Sequence, residues 1–149
     1  MHRMLPKLIL VPTDFSAHAE RALDYACELA AKLGATVHLV HAVGAPPAPL
    51  QVALTKDMIS NLVMEHREAL EKLAEPRRAN VQLGPGTVEV GDPRDTIVAT
   101  AQSLRADLIV MGTHGRRGLS RVMMGSVAED VMRHAPCPVL TVRAKQGEE

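Results

Sequence analysis

Short unbroken apolar runs, separated by longer stretches of helical period, leave this chain few architectures. Leu8-Ile9-Leu10-Val11 is such a run, closed by Pro12. Consecutive apolar side chains point to both faces of a strand, so the strand has to be covered on both sides, as in a parallel sheet. Thr36 to Val43, rich in β-branched residues, and Asp107 to Met111 read the same way. Val139 to Val142 is a short final strand. After the first run, Ala19, Ala22, Leu23, Ala26, Leu29, Ala30 and Leu33 recur at helical spacing. Ser16 stands where a cap belongs and Gly34 where a helix stops. A second helix is expected from about Thr55 to Glu75, with Ile59, Leu62, Val63, His66, Leu70 and Leu73 on one face and Pro76 ending it. Asp92-Pro93-Arg94-Asp95 opens a third, whose core positions are Ile97, Val98, Ala101 and Leu104. A fourth runs from about Ser126 to His134. Strands alternating with helices predict a parallel sheet with helices on both faces and right-handed crossovers. The weak element is Val81 to Val90, which Gly84-Pro85-Gly86 interrupts. Such a strand belongs at a sheet edge, or begins only at Thr87.

At 149 residues the chain has room for one domain, residues 1–149, with a full hydrophobic core. Lys plus Arg and Asp plus Glu both number 17, so the formal charge is zero. That argues against a broad basic surface for nucleic acid. Phe15 and Tyr25 are the aromatic residues and there is no Trp, which excludes an aromatic stacking platform. No apolar run approaches the ~18 residues of a membrane span, and the run after Lys7 is too short for a signal-peptide core. Cys27 and Cys137 do not make a disulfide framework. The expectation is a cytoplasmic protein with no membrane insertion.

The stretch with chemistry in it is Gly112 to Ser126. Gly112, Gly115, Gly118 and Gly125 are four of the ten glycines, and Arg116, Arg117 and Arg121 add positive charge. Glycine lets a ligand approach backbone N–H groups, and the helix opening at Ser126 offers free N–H groups to phosphate. The segment lies after a buried strand, at the end of a parallel sheet where ligands bind. Neither the Walker A spacing nor G-x-G-x-x-G fits. The pattern present is G-x2-G-x9-G-[ST], formed by Gly112, Gly115 and Gly125-Ser126.

This pattern resembles the nucleotide-binding signature of the universal stress protein family, in its ATP-binding branch. Ile9-Leu10-Val11-Pro12-Thr13-Asp14-Phe15-Ser16 is similar to that family's first strand and turn. Val40-His41-Ala42-Val43, Gly91-Asp92-Pro93 and Pro136-Cys137-Pro138-Val139-Leu140 match later landmarks, so the likeness covers essentially the whole chain. The fold it implies is Rossmann-like: an open twisted five-stranded parallel sheet in the order 3-2-1-4-5. It implies that Asp14 accepts hydrogen bonds from ribose hydroxyls. Pro12, Thr13 and Ala42 would line the adenine pocket, with Ala42 where the family usually has Val. Met111 and Gly112 would sit beside the ribose and α-phosphate. His114, Gly115 and Arg116 would surround the phosphates, and Gly125, Ser126 and Val127 would present N–H groups and a hydroxyl. The implied ligand is ATP, with Mg2+ or Mn2+ brought by the phosphates. The implied assembly is a homodimer through Val139 to Val142, acting on a regulatory protein partner that the sequence does not name.

The rival reading is an enzyme, a slow ATPase or phosphotransferase using the same loop. Phosphoryl transfer needs a positioned nucleophile and usually a metal held by protein. The loop offers His114 and Ser126 but no adjacent carboxylate, so no catalytic residue is assigned and turnover is expected to be weak. Asp14 has a plainer alternative as a turn residue. His38 and His41, three apart on a strand, point to opposite faces and form no metal pair. His41 is close enough in sequence to Ala42 to touch the pocket. Cys27 reads as core, and Cys137, between two prolines, has no partner for thiol chemistry.

Overall fold

The structure is a computed structural model that describes residues 5–44, 54–114 and 124–143. Its elements are β1 (Leu8–Pro12), α1 (Ala17–Leu33), β2 (Thr36–Val43), α2 (Lys56–Ala74), a 3-10 turn (Glu75–Arg77), β3 (Gln82–Leu83), β4 (Thr87–Val90), α3 (Pro93–Leu104), β5 (Leu108–Gly112), α4 (Ser126–His134) and β6 (Val139–Val142). All strand pairings are parallel, in the order β3-β2-β1-β5-β6, and β4 also pairs with β2.

The expected strand order therefore stands, with one difference. The expected third strand is two short strands, so the sheet has six strands rather than five. Thr36 and Val37 of β2 pair with Gln82 and Leu83, and Val40 to Val43 pair with Thr87 to Val90. The intervening Gly84-Pro85-Gly86 steps the chain out of the ladder and back along the same edge. Gly86 makes this possible with φ +80°, a conformation that glycine adopts without strain. Arg78 braces the step from below. Its guanidinium donates to the carbonyls of Leu83 at 2.7 Å and Gly84 at 3.1 Å, and pairs with Glu71 and Glu75.

Consecutive apolar residues divide between two layers, as the unbroken runs require. Ile9 and Val11 of β1, Val37 and Leu39 of β2 and Val110 of β5 pack with Ala22, Leu23, Ala26 and Ala30 of α1 and Leu70 and Ala74 of α2. Leu10, Val40, Ile109 and Met111 face the other way, against Ile97 and Ala101 of α3 and Ala128 and Val131 of α4. At about 25 cal/mol per Å2 of apolar surface removed from water, this burial is the main favourable term in folding.

Helix limits follow from local chemistry. Ser16 Oγ accepts from the Ala19 N–H, Thr55 Oγ1 from Met58, and an Asp92 carboxylate oxygen from Asp95. Gly34 closes α1 at φ 69°. Two expected core positions differ. In α3 the buried stripe is Thr96, Ile97, Thr100 and Ala101, whereas Leu104 is exposed. In α2 Leu70 is buried and Leu62 and Val63 pack on the core, but Ile59 in the first turn is exposed. The expected proline-rich loop and polar tail fall at 45–53 and 144–149, outside the described residues.

Candidate functional site

The sheet reverses its strand order between β1 and β5, whose chain neighbours α1 and α4 lie on opposite faces. Crevices at the carboxyl ends of such strands are where ligands bind. Here the crevice has a specific covalent cause. The β1–β5 pairing stops at Leu10–Ile109, although β1 runs on to Pro12 and β5 to Gly112. The Thr13 N–H donates to the Val40 carbonyl at 2.9 Å, so residue 13 faces β2 and residue 12 faces β5. The next donor from β1 to β5 belongs to residue 12. Proline has no N–H, and the ladder ends.

The turn after Pro12 is tightly built. An Asp14 carboxylate oxygen accepts from the Ser16 N–H and Thr13 Oγ1 from the Phe15 N–H, both at 3.0 Å. Phe15 takes φ 66°, an uncommon conformation for a large side chain. Asp14 is half-buried, and its bond from the Ser16 N–H fills the turn role anticipated as its plainer alternative. Pro12 and Thr13 are buried, and Ala42 is half-buried on β2, opposite Glu89 of β4.

Across the crevice, Met111 is buried against the α3 and α4 layer. Gly112 is needed for close packing: a Cβ there would lie 3.2 Å from the backbone oxygen of His18 in the first turn of α1. Thr113 is buried, and its hydroxyl meets His114 Nδ1 at 2.9 Å. The Thr113 carbonyl accepts from the Gly125 N–H at 2.6 Å, which brings the start of α4 beside the end of β5. Gly125 is the cap residue of α4 and supplies no side-chain hydrogen bond, unlike Ser16, Thr55 and Asp92 on the other three helices. Among the described residues the first N–H groups of α4 therefore have no capping side chain, which suits a helix start that accepts phosphate. Ser126 is exposed and Val127 half-buried. Gly115 and Arg116, with Arg117 and Arg121, lie outside the described residues.

Two histidine arrangements were not legible in the sequence. His41 Nδ1 lies 2.7 Å from the Thr13 carbonyl, and its Nε2 lies 2.8 Å from His66 Nδ1 on α2. A carbonyl only accepts, so His41 donates to Thr13 through Nδ1, and its Nε2 shares a hydrogen bond with His66. Phe15 packs on both rings, with centroids 4.5 Å and 6.1 Å away. The second arrangement is His18 of α1, whose ring centroid lies 5.8 Å from that of His114. His38 points elsewhere, meeting Thr87 Oγ1 at 2.8 Å, and burial lowers its pKa. Burial likewise pushes both cysteine thiols up, Cys27 with opposing effects from Arg77 and Asp24, Cys137 with a further rise from Asp107. Among the described residues no three His, Cys, Asp or Glu side chains gather as a metal site, and no helix is long and apolar enough to cross a membrane.

Comparison with known proteins agrees with this geometry. The model of the universal stress protein family matches residues 6–143. Universal stress protein MJ0531 of Methanocaldococcus jannaschii is 37% identical over 147 residues, spanning 97% of this chain and 86% of the relative. The solved structure of MJ0577, from the same organism, superposes with a TM-score of 0.83 at 29% identity, over 95% of this chain and 98% of that one. A universal stress protein from Archaeoglobus fulgidus, solved in complex with dAMP, superposes at 0.66 with 26% identity, over 95% of this chain and all of that one (100%). This chain belongs to the universal stress protein family.

Proposed function

We propose that this chain, as a single domain over residues 1–149, binds ATP in the crevice between the ends of β1 and β5 and works as a nucleotide-dependent regulatory protein of the stress response. The observation that supports this most is the pairing of two deliberate absences at one place. Pro12 removes the strand donor that would close the crevice, and Gly125 removes the side chain that would cap α4. The solved relative that holds dAMP supports an adenine nucleotide as the ligand.

In this reading Pro12, Thr13 and Ala42 line the adenine pocket, and Asp14 accepts from the ribose. Met111 and Gly112 flank the ribose and α-phosphate. His114, Gly115 and Arg116 surround the phosphates, and Gly125, Ser126 and Val127 receive them at the start of α4. Mg2+ or Mn2+ arrives with the phosphates and neutralises part of their charge. The chain is a binder more than a catalyst, because Ser126 and His114 have no carboxylate base in the loop; any hydrolysis is slow. Two copies pair through β6, which forms one edge of the sheet. Nucleotide occupancy then alters the surface that meets a regulatory protein partner. Two free thiols fit a cytoplasmic setting.

The test is a calorimetric titration of the purified protein with Mg-ATP beside AMP, repeated on Gly115→Val. Micromolar binding that prefers ATP and disappears in a folded Gly115→Val protein is the expected result. Equal affinity in that variant, or no binding to the folded parent, overturns the reading.

A further inference from the structure

Resting on the phosphate assignment above, we propose that His18 and His114 form an imidazole pair that reads the negative charge of the bound phosphates, with His18 the residue that discriminates a polyphosphate from a monophosphate. A continuous set of contacts places the pair there. The start of α4 is bonded to Thr113 through Gly125, the Thr113 hydroxyl fixes one ring nitrogen of His114, and the His114 ring faces the His18 ring at 5.8 Å. His18 is held by its backbone as well as by its ring, because its carbonyl packs against Gly112. Both side chains are half-buried, so they meet solvent and a ligand alike. The pair thus lies at the carboxyl end of β5, next to the Thr113 carbonyl that holds the start of α4.

A polyanion favours the protonated form of an imidazole beside it. An imidazole changes charge near neutral pH, so it responds to phosphate charge where a lysine would not. Asp14 lies in the preceding turn, Glu20 and Arg21 follow on α1, Glu129 stands in the first turn of α4 paired with Arg133, and Arg143 follows β6. Strands β1, β5 and β6 contribute no charged residue at all. Arg116, Arg117 and Arg121 lie outside the described residues.

The experiment titrates Mg-ATP and AMP into the full chain, His18→Gln and His18→Lys, each at about pH 6 and about pH 8.5. In the parent, proton uptake on binding, read by calorimetry in two buffers of different ionisation enthalpy, is larger for ATP than for AMP. His18→Gln lowers ATP affinity about three- to tenfold near pH 6 and little near pH 8.5, while AMP affinity stays within about twofold. His18→Lys keeps ATP affinity at both pH values. If AMP and ATP bind the parent but His18→Gln changes neither the proton count nor the ATP preference, the charge-reading role is refuted and the nucleotide site stands. If neither nucleotide binds the folded parent, the site itself falls, and this inference with it.

Discussion

Replacing Gly86 by Ala tests the account of the split edge strand, and its cost can be worked from the structure. At φ +80° an L residue is strained by about 1–2 kcal/mol. The added methyl would lie 2.7 Å from Leu70 Cδ2, 3.0 Å from the Leu39 carbonyl oxygen and 3.4 Å from Leu39 Cβ. Leu39 and Leu70 are fully buried, so neither yields without disturbing the layer beneath α1 and α2. Overpacking of this kind costs about 1–3 kcal/mol. Losing glycine's freedom in the unfolded chain returns about 0.4–1 kcal/mol. The net loss is about 2–4 kcal/mol, a large part of the ~5–15 kcal/mol of a typical domain. Gly84→Ala is the internal control. Nothing lies within 4 Å of its Cβ direction, and the residue before a proline already favours extended backbone. It should be neutral or slightly stabilising. The chain has no Trp, so urea unfolding is followed by far-ultraviolet circular dichroism. With a slope of about 2 kcal/mol per molar, Gly86→Ala lowers the midpoint by about 1–2 M while Gly84→Ala leaves it in place. Equal midpoints for the two variants at unchanged slope would refute the argument.

Four further outcomes follow from the same geometry. Asp14→Ala should weaken ATP more than dATP in parallel titrations, and equal losses would refute the ribose role of Asp14. Thr141→Pro should convert a dimer to a monomer by sedimentation. The carbonyls of Pro138 and Val142 accept from β5, so residue 141 directs its backbone to the open edge, where proline removes a donor that only a second copy would use. A folded Thr141→Pro dimer would rule out pairing through β6. Burial lowers the pKa of His38, so the unfolded chain binds more protons than the folded one. That contribution to stability is complete above about pH 6.5 and is lost as pH falls through the folded-state midpoint. His38→Gln should flatten the fall in urea midpoint between about pH 7.5 and 5, and an unchanged slope would assign it to other groups. Because burial raises both thiols, Cys27 and Cys137 should react with a disulfide reagent at neutral pH more slowly than in the urea-unfolded chain, by absorbance. Equal rates would count against their burial in the folded state.

What could be read from the sequence was what local chemistry decides. Thr36 to Val43 and Val139 to Val142 are strands with those limits, and Asp92-Pro93 opens α3, because side-chain period and caps act within a few residues. Elsewhere the same logic fell short for a reason that lies outside the segment. The apolar face of α2 is regular from Ile59 to Leu73, but period alone does not say which turns of the helix meet the core, and Ile59 in the first turn is exposed. In α3, Thr96 and Thr100 are buried where a hydrophobic count favours Val98 and Leu104; a threonine buries its methyl and still has a hydroxyl to bond. Gly84-Pro85-Gly86 announced a break, yet only the register on β2 reveals that both halves pair with one neighbour.

The same division runs through the candidate site. Pro12, Gly112 and Gly125 stand out in the sequence because each is defined by something missing from its own residue: an N–H, a Cβ, a capping side chain. Backbone geometry turns each lack into a consequence at one end of the sheet. The β1–β5 ladder stops, the first turn of α1 closes on β5, and the cap residue of α4 offers no side chain. The histidines are different. His18 meets His114, and His41 joins Thr13 to His66, only because crossover helices return distant segments to the same strand ends. In the proposed reading the motif, His114 included, marks where phosphate would be received, whereas His18 comes from elsewhere in the chain. Replacing His18 leaves the glycine pattern intact, so under that reading a chain could keep the signature and lose the pH dependence of what it binds.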